Sequence, residues 1–328
     1  MTVGNLQNTS LFSNPRWILG AAFFAAFGAL PWLGLGPNFT RLMFTTFVWI
    51  TASVAWNLLG GFAGQVSFGF AVFYGLGAYT AAMCINQGVN AYMAFLIAGA
   101  VAAAASLAIG LPTFRLRGPY FAIATIGVSE AVRVIATNLQ MTGGASGYRV
   151  AEHGPFRPLE HFYTAFVLAA AAVGISAWIR NSKFGLSLQA IHEDEEAAAD
   201  IGVNPLTAKL IVHFAAAGLT GMAGGVFARY AAFIHPQGVF AFNTSVAILL
   251  MPIIGGIGTV AGPVVGAFVY GLVQEELVAA FPQFHLLLYG CLLIIIILFE
   301  PRGVMGWIGQ LYAALRGLRR KSATASLR

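Results

Sequence analysis

Charge is what this sequence has least of. Only 9% of its 328 residues are Asp, Glu, Lys or Arg, against 59% hydrophobic, whereas a soluble globular domain carries about a quarter charged residues. That scarcity excludes a soluble protein and implies an integral membrane one. Cysteine is nearly absent: Cys84 and Cys291 fall in separate apolar runs, so neither a disulfide framework nor a cysteine metal site is implied. The six histidines, at 153, 161, 192, 213, 235 and 285, have no ligand or catalytic spacing, and no metal site is expected. A polar catalytic cluster is missing too, as is any Walker sequence, which argues against a membrane enzyme and leaves ATP chemistry, if used, to a partner. The net charge of +6 does not point to nucleic acid, because the basic residues sit at loop edges and in the C-terminal tail. The first fifteen residues lack a basic n-region and a small-residue cleavage site, so no cleaved signal peptide is expected.

What is abundant is apolar sequence in long runs. About 20 residues cross the roughly 30 Å hydrocarbon layer as a helix, and that ruler marks ten candidate spans: 17–35, 40–59, 62–84, 91–111, 119–138, 162–180, 207–230, 240–256, 263–281 and 284–300. The expected fold is an all-α polytopic bundle of about eight to ten transmembrane helices, some broken or re-entrant. Basic residues favour the cytoplasmic side. With the 181–206 loop taken as cytoplasmic, the seventeen Lys and Arg divide into twelve inside, four outside (Arg41, Arg149, Arg157, Arg229) and Arg133 within a span. Both termini then lie in the cytoplasm, and the tail cations at 316, 319, 320 and 321 meet anionic lipid headgroups.

Two of the runs are crowded with glycine. Asn57 to Tyr79 reads NLLGGFAGQVSFGFAVFYGLGAY, with Asn57, Gln65 and Ser67 interleaved among Gly60, Gly61, Gly64, Gly69, Gly75 and Gly77. Each glycine costs a helix up to about 1 kcal/mol against alanine, so this run is either tightly packed or unwound along a pathway. Ser245 to Ala267 carries Gly255, Gly256, Gly258, Gly262 and Gly266 with Pro252 and Pro263; one regular helix cannot pass through them, and a break is expected between Gly256 and Gly262. LLGG at 58–61 and IIGG at 253–256 hint at an internal repeat, although the topology above puts both on the inner side.

Charge inside the spans is confined to a few places. Glu130 and Arg133 are i and i+3 on one helix and can pair; a structural ion pair and a substrate contact both fit. Glu275 and Glu276 lie near the outer end of the ninth span. Leu139 to His161 is the longest outer segment, with Thr142-Gly143-Gly144 at its start and both charge signs after it, as a docking surface or any periplasmic loop would have. The candidate pathway residues are thus Asn57, Gly61, Gly64, Gln65, Ser67, Gly69, Tyr79, Glu130, Arg133, Thr142, Gly143, Gly144, Gly255, Gly256 and Gly258.

The remaining feature is Asn181 to Pro205, which holds Glu193, Asp194, Glu195, Glu196 and Asp200 within eight positions and must lie in water. One amphipathic helix from about Leu186 to Ile201 is expected, with Ser187 as its N-cap and Leu188, Ile191, Ala198 and Ile201 on one face. Gly202 is placed to end it in a left-handed turn, before Pro205. Glu196-Ala197-Ala198 followed by Gly202 spells E-A-A-x-x-x-G, similar to the loop by which membrane subunits of ABC importers dock on their ATPase. A solvated acidic loop is the plainer alternative, and a self-sufficient channel or secondary transporter would have no use for such a pattern.

Six blocks in order extend that likeness over about 42–306: NLLGGFAGQVSFG…GAY (57–79), LRGPYFAIATIGVSEAVR (116–133), TGG (142–144), SKFGLSLQAIHEDEEAAADIGVNPLTAKL (182–210), GGIGTVAGPVVGA (255–267) and FEPRG (299–303). The chain resembles the permeases of branched-chain amino acid ABC importers, specifically the longer of the two paired permeases. The resemblance implies a single permease domain over 1–328, with cytoplasmic tails at 1–16 and 301–328, a periplasmic loop at 139–161 and a cytoplasmic coupling loop at 181–206. It implies as partners a second related permease, two cytoplasmic ABC ATPases that bind ATP and Mg, and a periplasmic or lipid-anchored substrate-binding protein, all at a bacterial inner membrane and without nucleic acid. It assigns His192, Glu193, Asp194, Glu195, Glu196, Ala197, Ala198 and Gly202 to ATPase coupling, with His192 standing where the family usually has a basic residue. Relatives of this architecture also carry urea, short amides and other small solutes.

Overall fold

The computed structural model describes Phe27, Gly28, Pro31 and residues 36–151, 156–280 and 303–306. The candidate spans 17–35 and 284–300 therefore lie almost wholly outside the described residues, as do most of both tails, Cys291 and the side chains of Glu275 and Glu276.

The other eight spans are helices. In chain order they are α1 (Pro37–Asn57, continued by a π-helical turn Leu58–Phe62), α2 (Phe70–Asn86), α3 (Ala91–Thr113), α4 (Pro119–Asn138), α5 (Pro158–Arg180), two short helices α6 (Lys183–Glu193) and α7 (Glu195–Asp200), α8 (Pro205–Ala231), the single turn α9 (Pro236–Val239), α10 (Phe242–Gly255) and α11 (Gly262–Ala280). Six segments are long and apolar enough to cross a membrane, with Pro236–Gly255 counted as one, while Phe70–Asn86 and Gly262–Gln274 are shorter apolar helices. The only strands among the described residues are Tyr148–Arg149 and Phe233–Ile234, paired antiparallel. All-α architecture and multiple crossings are as the sequence implies.

Small residues hold the bundle together. α8 runs against α2 and α3 so closely that a Cβ on Gly77 would lie 2.0 Å from the Gly221 carbonyl oxygen, and one on Gly224 2.0 Å from that of Tyr74. Apolar side chains gain little from meeting each other in lipid, so backbone approach of this kind supplies the packing. At one end of the bundle the two strands meet, Asn86 bonds the Arg149 carbonyl at 2.8 Å, and Arg229 pairs with Glu160 at 2.8 Å. The opposite end carries α6, α7 and both helix breaks.

Two details differ from the single amphipathic helix expected over Leu186–Ile201. Asp194 leaves helical geometry and accepts hydrogen bonds from the Glu196 and Ala197 amides at 2.8 and 3.0 Å, so it starts a second helix in the middle of the segment. The first begins earlier, at Ser182, whose hydroxyl caps the Gly185 amide at 3.1 Å; Ser187 lies inside it and bonds back to the Lys183 carbonyl. Leu188, Ile191 and Ala198 are buried as the shared face requires, whereas Ile201 is exposed. The helix expected over 62–84 begins only at Phe70, because Ala63 to Gly69 is unwound.

Candidate functional site: the junction of the acidic helices with two helix breaks

The first break follows from its glycines. α1 passes into a π-helical turn over Leu58–Phe62; Gly64 then adopts φ +71°, a left-handed conformation that glycine reaches without steric cost. The unwound chain is stitched to its surroundings rather than loose. Trp56 Nε1 donates to the Ser67 carbonyl at 2.7 Å, and the Phe68 amide donates to Thr125 Oγ1 at 3.1 Å. Ser67 Oγ receives the Gly69 amide at 3.2 Å, and Ser245 Oγ receives that of Ala71 at 2.9 Å. Each satisfies a backbone group that an intact helix would have satisfied internally. Gln65 is partly exposed at the loop tip.

The second break lies where Gly256 and Gly258 turn to φ +125° and +72°, between the end of α10 and the start of α11. The two breaks form one structure. Asn57, fully buried, donates through Nδ2 to the Thr259 carbonyl at 2.9 Å and accepts the Gly258 amide on Oδ1 at 2.9 Å. Gly61 lies against Gly258, with the position of a Gly61 Cβ only 2.7 Å from the Gly258 nitrogen. Gly303, of the FEPRG block, closes on the same place, where a Cβ would fall 2.6 Å from the Gly256 nitrogen. LLGG and IIGG thus sit side by side at one end of the bundle.

α6 rests directly on this junction. His192 places Nδ1 3.1 Å from the Gly61 carbonyl oxygen, and its ring lies where a Cβ on Gly64 would be 3.1 Å away. Arg180, the last residue of α5, donates through Nη1 to the Gly258 carbonyl and lies over the Phe62 ring, 5.8 Å from its centroid. These groups, with Gln189, Ala190 and Glu193, line a solvent-open cleft of about 380 Å³.

The carboxylates that follow are unequal. Glu195 pairs with Lys209 at 2.6 Å, and the lysine side chain is only 2% exposed, which ties α7 to the start of α8. Glu196 reaches Arg117, in the α3–α4 connection, at 2.6 Å, but both side chains are largely exposed. The Glu196 hydrogen bond and charge, with that of Glu195, raise the Arg117 guanidinium above its usual range. Glu193 and Asp200 are exposed, Ala197 is exposed beside buried Ala198, and Gly202 takes φ +90°, ending α7 in the left-handed turn expected of it. Arg180, Lys209, Arg117, Thr259 and Gly303 were not among the candidates read from the sequence. Arg180, Lys209 and Arg117 counted there only among the twelve inner cations, since nothing local reveals partners 78, 14 or 79 residues away.

The other sequence candidates lie elsewhere. Tyr79 is buried toward the far end, stacked on Phe240 with ring centroids 5.9 Å apart, and its hydroxyl has no partner among the described residues. Thr142 closes the end of α4 by bonding the Ala136 and Leu139 carbonyls; Gly143 and Gly144 both have positive φ there. Gly255 abuts α11, a Cβ on it falling 1.7 Å from the Gly262 carbonyl oxygen. Glu130 and Arg133 pair with each other on α4, away from the junction. Among the described residues no group of three His, Cys, Asp or Glu could hold a metal ion.

Residues 38–297 match the family described as "Branched-chain amino acid transport system / permease component". The chain belongs to this permease family. It is 28% identical over 291 residues to the high-affinity branched-chain amino acid transport system permease protein LivM of Escherichia coli K12, covering 79% of this chain and 68% of that one. A second relative is the corresponding LivH permease of Salmonella typhimurium, 25% identical over 138 residues, 42% of this chain and 44% of that one. The probable LivM permease of Methanocaldococcus jannaschii is 23% identical over 214 residues, 60% and 62% of the two chains. No solved structure matches. Members of the family are multi-pass membrane permeases and not enzymes, and so is this chain. Similarity to both LivM and LivH proteins fits a permease that works beside a related one.

Proposed function

We propose that this permease carries branched-chain amino acids inward as one subunit of an ABC importer, by alternating access driven by ATP in partner subunits. In this reading α6 and α7 lie on the cytoplasmic side, as the Lys and Arg distribution favours, with both termini inside and 139–161 facing the periplasmic binding protein. Two cytoplasmic ATPases bind the ATP and Mg, and a second permease completes the pathway. The observation that carries the reading is the bonding of α6 to the first helix break through His192 to Gly61, and of that break to the second through Asn57 to Gly258. A solvated acidic loop needs no such connection. A force applied to Glu193, Glu196 or Asp200 by a docked ATPase passes through His192 to the first unwound segment and through Asn57 to the second, and their geometry decides whether that end of the bundle is open. Gly61, Gly64, Gly255, Gly256 and Gly258 serve as the inner rim, with Asn57, Gln65, Ser67 and Gly69 beside them. Tyr79 and Thr142 to Gly144 belong to the opposite mouth.

The test is ATP-driven uptake of leucine, isoleucine or valine by proteoliposomes holding the complete complex, supplied with its binding protein. Uptake that requires ATP inside the ATPase-facing compartment supports the reading. Uptake driven by an ion gradient without ATP would replace it with a secondary transporter.

A further inference from the structure

Resting on the amino-acid import proposed above, we propose that Glu130 and Arg133 on α4 form the element of the pathway that reads the zwitterionic backbone of the substrate. α4 is the least covered of the spans: 22% of its apolar window is buried, against 39% or more for the other five. Tyr120, Ile123, Gly127, Glu130, Ala131, Val134 and Asn138 recur at helical spacing along its open face. Glu130 is the twelfth of the twenty residues of Pro119–Asn138, well inside the hydrocarbon layer, yet its side chain is 53% exposed and that of Arg133 29%. Ionised groups at such depth face a watery cavity or the bundle interior, pair with one another, and mark substrate pathways; this pair is formed on the open face of the helix rather than its packed one.

The geometry favours a small zwitterion as that ligand. Arg133 uses one edge of its guanidinium, Nε at 2.9 Å and Nη2, to hold the two oxygens of Glu130. Its Nη1 has no partner among the described residues, and the outward lone pairs of Glu130 are equally open. An α-carboxylate fits the free guanidinium edge, where planar donors suit it, and an α-ammonium fits Glu130. The charges balance, so the pair need not separate. One turn away Gly127 has nothing within 4 Å of where a Cβ would stand, and beyond it the exposed Ile123 offers apolar surface to a branched side chain. A lipid tail matches only the apolar part of this face. A helix of the second permease packed on this face would instead show as loss of that subunit when either charge is removed.

The experiment uses the full complex in proteoliposomes with loaded binding protein, and reads two rates: substrate moved and ATP hydrolysed. Glu130→Gln and Arg133→Gln are each expected to lower the ratio of substrate moved to ATP hydrolysed by tenfold or more, with ATP hydrolysis within about twofold of wild type. The swap Glu130→Arg/Arg133→Glu keeps an ion pair but inverts it, and is not expected to recover the ratio. Recovery by the swap would make the pair structural and overturn the proposal, as would single variants that transport normally or that lose the second permease on purification. A wild-type complex that moves no amino acid would instead overturn the import reading on which the proposal rests.

Discussion

His192 Nδ1 and the Gly61 carbonyl oxygen lie 3.1 Å apart although 131 residues separate them in the chain. With its proton on Nδ1 the imidazole donates to a carbonyl in the π-helical turn, one of the few groups there that the unwound backbone leaves available. The contact makes the acidic segment part of the bundle rather than a loop hung from it.

Loss of that bond is expected to uncouple rather than unfold. His192→Ala removes one hydrogen bond of about 1 kcal/mol and should cut ATP-driven uptake roughly fivefold, with the ATPases still bound. His192→Arg keeps a donor within reach of Gly61 and should retain most uptake. Loss of ATPase docking in the arginine variant would contradict this, as would normal uptake in the alanine variant.

The two paired glutamates should behave differently. Glu195→Ala leaves the Lys209 ammonium buried without its partner and should cost about 3 kcal/mol of stability, read as a lower thermal midpoint in detergent. Lys209→Met with Glu195→Leu should recover most of the loss. Glu196→Ala exposes nothing that water does not already reach, so its midpoint should stay at that of wild type. Equal effects of Glu195→Ala and Glu196→Ala would mean that the Lys209 pair is not buried as described.

Function at α7 should be separable from folding. Glu196→Lys places a cation opposite Arg117, and Gly202→Asp puts a side chain at φ +90°, where non-glycine residues are strained by about 1 kcal/mol. Both variants should reach the membrane in normal amount and fail in uptake. Retained uptake in both would remove α7 from the coupling route.

Close helix approach gives the sharpest stability contrast. Gly224→Val drives a side chain into the Tyr74 carbonyl, 2.0 Å from the position of its Cβ, whereas Gly174 has nothing within 4 Å. The first should destabilise by about 3 kcal/mol, and Gly174→Ala should be neutral or stabilising by up to about 1 kcal/mol. Similar midpoints for the two would contradict the α2–α8 packing.

The second helix break was legible in the sequence because glycine acts locally: the helix passes through Pro252 but stops at Gly255, where Gly256 and Gly258 turn to positive φ, whereas the first was legible only as one of two readings of its glycine-rich run. Gly202 was readable for the same reason. The split at Asp194 was missed although its signal was present, an aspartate followed by two glutamates, which suits a helix N-terminus. The acidic run was read instead as one continuous surface. Contacts such as Asn57 to Gly258, Arg180 to Gly258 and Gly303 to Gly256 carry no local mark, since each joins residues from distant helices. The two-residue strands at Tyr148 and Phe233 are too short to show any alternation.

The most direct measurement is purification of the chain from its native membrane in mild detergent, with mass spectrometry of whatever accompanies it. The account predicts a second hydrophobic permease and P-loop ATPases, with the ATPases lost in Gly202→Asp. A chain that comes out alone, or only with copies of itself, would contradict the coupling role of α6 and α7.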